Sequence, residues 1–338
     1  MNHLSELVSN TVDESCAGVV IGRNEGSRLV KCLQSLLNSL STVVYVDSGS
    51  TDGSVDKAKS LGVAVIQLDL TIPFTAARAR NEGANYLIQK YPELNYIQFV
   101  DGDCEMQLLW IDTAVQFLDE HADYAVACGR RRERFPERSI YNQLCDIEWN
   151  TPIGDAFSCG GDALIGVEAF KQVDGYRDDL IAGEEPEMCF RLRNNGWKVR
   201  RIDADMVLHD ANMTKISQWW NRSRRSGYAY AHGCYLHGRS VEKYNVKQVA
   251  SVLFWALVVP VLIVIVSTYD IKFLSLVAIY PLQIVRLTIK GKQCIKSVRE
   301  NFFYALSNVA GKFPQVVGIL KFVLNKVLDK RATLIEYK

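Results

Sequence analysis

The 338-residue chain is poor in several features that would have fixed its class at once. None of its nine cysteines forms a Cys-x-x-Cys pair, which argues against a zinc site of the paired-cysteine type. Their number is odd, and a chain this long does not need a disulfide framework, so a reducing compartment is the simpler reading. Eight prolines and 22 glycines are too few for a collagenous or low-complexity chain. Net charge is almost absent, at +1, but its distribution is uneven. Residues 270–338 hold 12 Lys+Arg against 4 Asp+Glu, leaving 27 against 34 for the remainder. A chain acidic in front and basic behind does not suit a general nucleic-acid binder, and no nucleic acid is expected among its partners. Residues 1–15 contain no basic stretch before an apolar run and do not read as a signal peptide.

What is present is globular: 48% hydrophobic and 23% charged residues exclude a mostly disordered chain. The front half alternates short apolar runs with helical patterns. Residues 17–22, 42–46, 63–68 and 96–100 read as strands. Residues 27–40, with Leu29, Leu33, Leu36, Leu37 and Leu40 at helical spacing, read as a helix. So do residues 55–61, closed by Gly62, and residues 76–89. This alternation predicts an α/β sheet, mostly parallel, with ligands at the carboxyl ends of its strands. Acidic and glycine-rich segments sit at those ends: Gly-Arg-Asn-Glu-Gly, Asp-Ser-Gly-Ser-Thr-Asp-Gly and Asp-Gly-Asp-Cys-Glu. Each is also ordinary loop and N-cap chemistry when taken alone. Asp101 and Asp103, however, repel one another unless something positive lies between them. A hard divalent cation would remove that cost and bridge a diphosphate.

These segments together resemble the family 2 glycosyltransferases, which have the GT-A fold. The resemblance runs over residues 17–209 and more weakly to about 238. It is carried by VVIGRNEGSRLVKCLQSL, VVYVDSGSTDGS, ARARNEGA, FVDGDCE, GGDALIGVEAFKQVDGYRDDL and GEEPEMCFRLRNNGW, in that order. The resemblance implies a Rossmann-like domain that binds a nucleotide-diphosphate sugar. It places Asp47 at the base or ribose, Arg80 near the base or diphosphate, and Asp101 at the ribose or sugar. Asp103 falls at the metal position, and Asp162 faces the donor. Glu185 lies where the family has the second acid of a Glu-Asp pair, the general base. Here the pair is Glu184-Glu185, which leaves either residue open to that role. His209 matches a position that ligates metal in some GT-A enzymes, or contacts phosphate. The cofactor implied is a divalent cation, Mn²⁺ or Mg²⁺.

The residue types suit that chemistry. In an inverting transfer, an acceptor hydroxyl attacks the anomeric carbon and needs a carboxylate base beside it. The departing diphosphate accumulates negative charge that a metal neutralises. Residues 184–192 read as an amphipathic helix whose acidic start suits a helix N-terminus. Gly160 and Gly161 allow close backbone approach on the acceptor side. Residues 217–238 mix Arg222, Arg224 and Arg225 with Trp219, Trp220, Tyr228, Tyr230 and Tyr235. They suit either sugar and phosphate contact or a membrane-proximal surface. The Gln-x-x-Arg-Trp motif of processive family members is absent.

The back of the chain is of another kind. Residues 249–267 are 19 uncharged residues. As a helix they would be about 28 Å long, near the thickness of a hydrocarbon core. Residues 273–285 form a second apolar run after a very short connection, so a spanning or re-entrant hairpin is expected. Lys290, Lys292, Lys296 and Arg299 then place that side in the cytoplasm, and a hairpin returns the chain to the side it left. Residues 302–328 combine apolar helical spacing with Lys312, Lys321 and Lys326. They suit a basic amphipathic segment on an anionic membrane, kinked at Gly311 and Pro314, or one packed back onto the hairpin.

The sequence therefore predicts a GT-A domain over residues 1–240, a hydrophobic membrane hairpin over 241–290 and a basic amphipathic tail over 291–338. The expected partners are a nucleotide-diphosphate sugar donor, a saccharide or lipid-linked acceptor, and the cytoplasmic face of the inner (plasma) membrane. The expected product is a surface polysaccharide or glycolipid. Two other readings remain. A sugar-phosphate nucleotidyltransferase would attack phosphate instead of an anomeric carbon. A non-catalytic membrane scaffold would carry a degenerate transferase domain.

Overall fold

A computed structural model describes residues 15–291 and 297–330. Residues 1–15, Lys292 and Lys296 of the basic cluster and the last residues of the tail entered the expectations above. Apart from Ser15 and residues up to 330, they lie outside the described residues. The chain divides into two compact units. The first is Met1–Arg134 with Trp149–Leu180 and Glu184–Ala211, and the second is Phe135–Glu148 with Ile181–Gly183 and Asn212–Lys338.

The first unit is built on one sheet. Its strands are β1 (Cys16–Gly22), β2 (Val43–Asp47), β3 (Ala64–Gln67), β4 (Tyr96–Asp101), β5 (Cys104–Met106), β6 (Tyr124–Glu133), β7 (Gly154–Asp155), β8 (Ala163–Gly166) and β9 (Lys198–His209). The order is β3-β2-β1-β4-β8-β6-β9-β5, with β7 paired to β9. Successive strand residues face opposite sides of a sheet, yet Cys16–Ile21 and Val43–Asp47 are buried throughout. Strands buried on both faces need helices on both, and their near-continuous apolar runs are the sequence mark of that arrangement. The helices are α1 (Ser27–Leu37), α2 (Ser54–Ser60), α3 (Ala76–Lys90) and α4 (Trp110–Glu120). On α1, Leu29, Cys32, Leu33 and Leu36 form the buried face, as their spacing predicts. Gln98, a polar group deep in this core, is satisfied: it accepts from the Trp110 indole N–H at 2.8 Å and donates to the Phe99 carbonyl.

The expectation of a mostly parallel sheet holds for β3-β2-β1-β4 and for the β6–β9 pair. Beyond β4 the sheet is mixed, because β8 runs antiparallel to both β4 and β6. The reversal has a consequence for the site. Ala163 pairs with Phe99, so the residue before it, Asp162, arrives at the carboxyl end of β4. A parallel strand here would have entered from the opposite edge.

After α5 (Ile140–Trp149), α6 (Val167–Gln172) and α7 (Glu184–Asn194), the second unit is helical: α8 (Ile216–His237), α9 (Val246–Leu253), α10 (Val259–Ser267), α11 (Ile279–Lys290), α12 (Val298–Ala310) and α13 (Lys312–Val327). A π-turn over Phe254–Val258 joins α9 to α10, so Val246–Ser267 is one continuous helical rod. Pro260 explains the π-turn. It has no N–H to return to the preceding turn, and a wider turn relieves the clash of its ring. A 3₁₀ stretch, Ile271–Ala278, leads into α11. Both Val246–Ser267 and Ile271–Lys290 are long and apolar enough to cross a membrane by length and composition. Only 17% and 0% of their most apolar windows are buried in the protein. Exposed Phe254, Val261, Val264, Phe273 and Leu282 show that their apolar surface is not consumed by packing.

One face of the tail is packed within the second unit. On α13, Val316, Ile319 and Phe322 are buried with Tyr228 and Ala231 of α8 and Val252 of α9. The contact is close. A Cβ on Gly227 would lie 2.0 Å from the Gln315 carbonyl oxygen, and one on Gly318 the same distance from that of Arg224. Only the opposite face, with Val317, Leu320 and Leu324, stays exposed. The aromatic and arginine residues of α8 are likewise partly structural. Tyr228 packs edge-on against Phe322, the Trp219 N–H donates to Ser307 Oγ, and Arg222 pairs with Glu148 at 2.6 Å. Trp220 and Tyr235 remain exposed.

Candidate active site

Of the eight expected site residues, Asp47, Asp101 and His209 end sheet strands, and Asp103 and Asp162 directly precede β5 and β8, while α3 carries Arg80 and α7 carries Glu184 and Glu185. Asp101 ends β4 and sits in register with Ile21, while Asp47 ends β2 in register with Gly22. Both therefore flank the end of β1, about 10 Å apart across two strand spacings. The chain departs from β1 to one side through β2 and to the other through β4. That crevice is where open α/β sheets bind ligands.

Asp47 is buried and holds the loop that follows it. Its Oδ2 accepts from the N–H groups of Gly49 (3.0 Å) and Ser50 (2.9 Å), and its Oδ1 from the Tyr45 hydroxyl (2.8 Å). The Asp-Ser-Gly-Ser segment is thus an Asx turn whose backbone is shaped by this carboxylate.

Around Asp101 the charges interlock. Arg80, on the buried face of α3, donates from Nη1 to Glu184 Oε1 at 2.9 Å and from Nη2 to Asp101 Oδ1 at 2.8 Å. Its guanidinium stands 5.5 Å from the Tyr176 ring centroid. Arg131, on β6, reaches Asp162 Oδ2 at 3.0 Å and Asp101 Oδ2 at 3.4 Å, and lies over the Trp149 ring. Asp162 Oδ1 accepts the Asp101 backbone N–H at 2.9 Å. Burial pushes the Asp162 carboxyl up, and Arg131 opposes that shift. Gly161 completes the corner. A Cβ there would sit 2.9 Å from Asp101 Oδ2 and 3.0 Å from Arg80 Nη2, so a side chain would wedge the ion pair apart.

Beside this network lies a second group. Asp103 Oδ1 is 3.4 Å from His209 Nε2, and the Cys104 thiol lies between Asp103 and Asp162. His209 pairs with Cys104 on one side and Glu133 on the other, because β9 ends between β5 and β6. Burial and the nearby Arg131 hold the imidazole pKa below its usual value, so the ring is neutral at physiological pH. Its Nδ1 stands 3.8 Å from Glu133 Oε2, too far for a hydrogen bond, and has no other partner among the described residues. Two ligand atoms about 3.4 Å apart match the spacing around one ion with bonds of roughly 2.1 Å. Asp103 and His209 therefore fit a divalent cation. Cys104 does not add to a hard-ion set, because burial holds its thiol well above its usual pKa.

The two candidate bases differ. Glu184 is tied to Arg80. Glu185 accepts the Cys159 N–H at 2.5 Å and the Cys189 thiol at 3.2 Å, and burial raises its pKa. Sequence reasoning missed Arg131, Glu133, Trp149 and Tyr176. Arg131 left a weak signal as part of an Arg-Arg-Arg run in a strand. Such a run is usually a solvated face. Here register shifts between Cys128 and Arg131 re-aim the strand.

A parallel-to-mixed sheet with a carboxylate cluster at its switch point defines a GT-A glycosyltransferase fold. Residues 19–162 match the model of the family described as Glycosyl transferase family 2, and the domain over these residues is that of a family 2 glycosyltransferase. The chain is 24% identical over 215 residues to the succinoglycan biosynthesis protein ExoA of Rhizobium meliloti (strain 1021). That match takes in 58% of this chain and 63% of the relative, so less than two thirds of the relative's length is spanned. Among solved structures, the mannosyltransferase PcManGT from Pyrobaculum calidifontis, in complex with GDP-Man and Mn²⁺, superposes with a TM-score of 0.61. It is 14% identical, with 96% of this chain and 94% of that one covered. At that identity the likeness speaks for the fold. Glucosyl-3-phosphoglycerate synthase from Mycobacterium tuberculosis, in complex with Mg²⁺ and uridine-diphosphate, gives a TM-score of 0.46 at 14% identity. It covers 68% of this chain and 81% of that one.

Removing Arg131 leaves Asp162 fully buried without its cation. Arg131→Met is expected to lower stability by about 3–5 kcal/mol. Adding Asp162→Asn should restore part of that loss. Denaturant midpoints of the single and double variants check both.

Proposed function

We propose that the protein transfers a sugar, with inversion, from a nucleotide-diphosphate sugar to a hydroxyl of a saccharide or lipid-linked acceptor. The observation that carries this reading is the joining of Asp101, Asp103, Asp162 and Glu184 to Arg80, Arg131 and His209 at one sheet edge, with Glu185 next to Glu184 on α7. The succinoglycan relative supports a role in surface polysaccharide or glycolipid synthesis. The Mn²⁺ in the mannosyltransferase complex supports a divalent cation here.

In this reading Asp103 and His209 hold the cation, whose contribution when bound is to neutralise charge on the diphosphate. Asp47 shapes the loop at the nucleoside, Asp101 and Asp162 orient the donor, and Arg80 fixes Asp101. Glu185 takes the proton from the acceptor hydroxyl. Glu184 is the weaker candidate for that step, because Arg80 already engages it. No covalent nucleophile is required.

The domain arrangement follows the same reading: a catalytic GT-A domain over residues 1–240, a membrane hairpin over 241–290 and a tail over 291–338. The exposed apolar surface of Val246–Ser267 and Ile271–Lys290 supports attachment to the membrane. The lysines that follow favour its cytoplasmic face, where sugar nucleotides are made available.

UDP or GDP at about 100 times its Kd adds roughly 2.7 kcal/mol, a rise in Tm of about 5–10 °C. The rise should need both Mn²⁺ and one of the two nucleotides, and Asp103→Asn should abolish the part that depends on metal. A nucleotide rise indifferent to metal would remove Asp103 from its role.

Glu185→Gln should lower kcat by roughly 10²–10⁴-fold. The folded pKa of Glu185 is raised, so the base form is populated only as pH climbs past the ordinary glutamate range. The acid limb of the wild-type rate should therefore lie above 4.5, the ordinary glutamate value. NMR of the product should show the anomeric configuration opposite to the donor's, and retention would overturn the single-displacement mechanism.

Membranes washed in alkaline carbonate should keep the protein in the pellet. Its release into the supernatant would overturn the hairpin assignment.

A further inference from the structure

Glu185 belongs to a second group of ligand atoms, whose two cysteines the transfer reaction does not use. Glu185 and Cys189 lie one turn apart on α7, so they share a face. Cys159, on the loop that leads to Gly161 and β8, meets them from the side. Its Sγ is 3.6 Å from Cys189 Sγ, and Cys189 Sγ is 3.2 Å from Glu185 Oε1. One donor atom from each of the three lies within 4.8 Å of the others. Glu185 and Cys189 are buried and Cys159 is half-buried, which leaves one side open for an ion to enter. The two cysteines are 30 residues apart in sequence, so no motif spacing points to them.

Two thiols and a carboxylate are a zinc-type donor set. With metal–sulfur bonds of about 2.3 Å and a metal–oxygen bond near 2.0 Å, a tetrahedral ion spaces sulfur from sulfur by about 3.8 Å. It spaces sulfur from oxygen by about 3.5 Å. The observed 3.6 and 3.2 Å need only a slight opening to reach those values.

We propose that Cys159, Cys189 and Glu185 form a binding site for a thiophilic divalent cation of the Zn²⁺ class, with its fourth position open to water. The site is distinct from the Asp103–His209 pair and is separated from it by ligand softness. Thiolates select a d-block ion, whereas the Asp103 carboxylate suits Mg²⁺ or Mn²⁺. Contact with Cys189 and burial push the Cys159 thiol up. Cys189 is raised too, because burial and Glu185 outweigh the lowering contact with Cys159. Both sulfurs therefore carry protons before the ion arrives. Binding breaks two S–H bonds, forms two metal–sulfur bonds and releases two protons to solvent. The metal draws on Glu185 Oε1, the atom that would otherwise accept the hydroxyl proton. Zn²⁺ is therefore an inhibitor of transfer, an effect that rests on Glu185 being the base.

Cobalt is the probe, used on the intact protein after chelator treatment under a phosphine reductant. One equivalent of Co²⁺ should produce thiolate-to-cobalt charge-transfer absorption and intense four-coordinate visible bands, and one equivalent of Zn²⁺ should bleach both. Cys159→Ser should remove about half of the charge-transfer intensity and Cys189→Ser the same. Glu185→Gln should keep the charge transfer but weaken Co²⁺ binding by at least about tenfold, equivalent to 1.4 kcal/mol. A wild-type titration without charge transfer would overturn the site, and that result needs no variant to fold. Unchanged charge transfer in the double serine variant would also overturn it, since another thiol, such as Cys104, would then be the ligand. In an assay with excess Mg²⁺, Zn²⁺ should inhibit and a chelator should reverse it. Cobalt binding at these residues without inhibition would leave the site standing and remove Glu185 from the base role.

Discussion

Like charges gathered at one edge of a sheet dominate this protein. Asp101, Asp103, Asp162, Glu184 and Glu185 converge where β4 ends, and most of them are buried. Water cannot screen them there, so cations must. Arg80 ties Asp101 to Glu184, and Arg131 ties Asp101 to Asp162. Each guanidinium serves two carboxylates, and each also lies over an aromatic ring, Tyr176 or Trp149. The planar fork suits that double duty, which a lysine could not perform with the same geometry. Asp103 lies beside this network, 3.4 Å from His209. It faces a neutral histidine, which is how a site for an added cation is arranged.

That constraint explains features that look incidental. The reversal of β8 delivers Asp162 to Asp101, and the irregular register of β6 turns Arg131 toward both. Gly161 is without a side chain where the ion pair fills the space. The acidic start of α7 places Glu184 against Arg80 and Glu185 against the Cys159 backbone, so adjacent residues meet different surroundings. One glutamate is neutralised by an arginine. The other is buried with a raised pKa, the environment in which a carboxylate becomes a better base.

The second unit is packed differently. Its two longest apolar helices bury little of their surface, while α13 uses one face to pack on α8 through glycine contacts. A segment that reads as amphipathic can spend its apolar stripe on a neighbouring helix as well as on lipid, and the sequence pattern is the same in both cases.

The sequence by itself determined the front α/β alternation, because strand and helix periodicity are local properties of the chain. β1, β2, β4, α1, α3 and α7 fall within a few residues of their expected positions. It also determined the acidic motifs, since carboxylates after apolar runs are visible without any contact information, and the two long apolar helices Val246–Ser267 and Ile271–Lys290. It did not determine the sheet beyond β4. Short strands such as β5, β7 and β8 lack a readable pattern, and direction is set by which partner a strand meets. Nor did it reveal Arg131, Glu133 or the Cys159–Cys189 approach. Those depend on residues far apart in sequence being brought within a few ångströms, and only tertiary packing decides that.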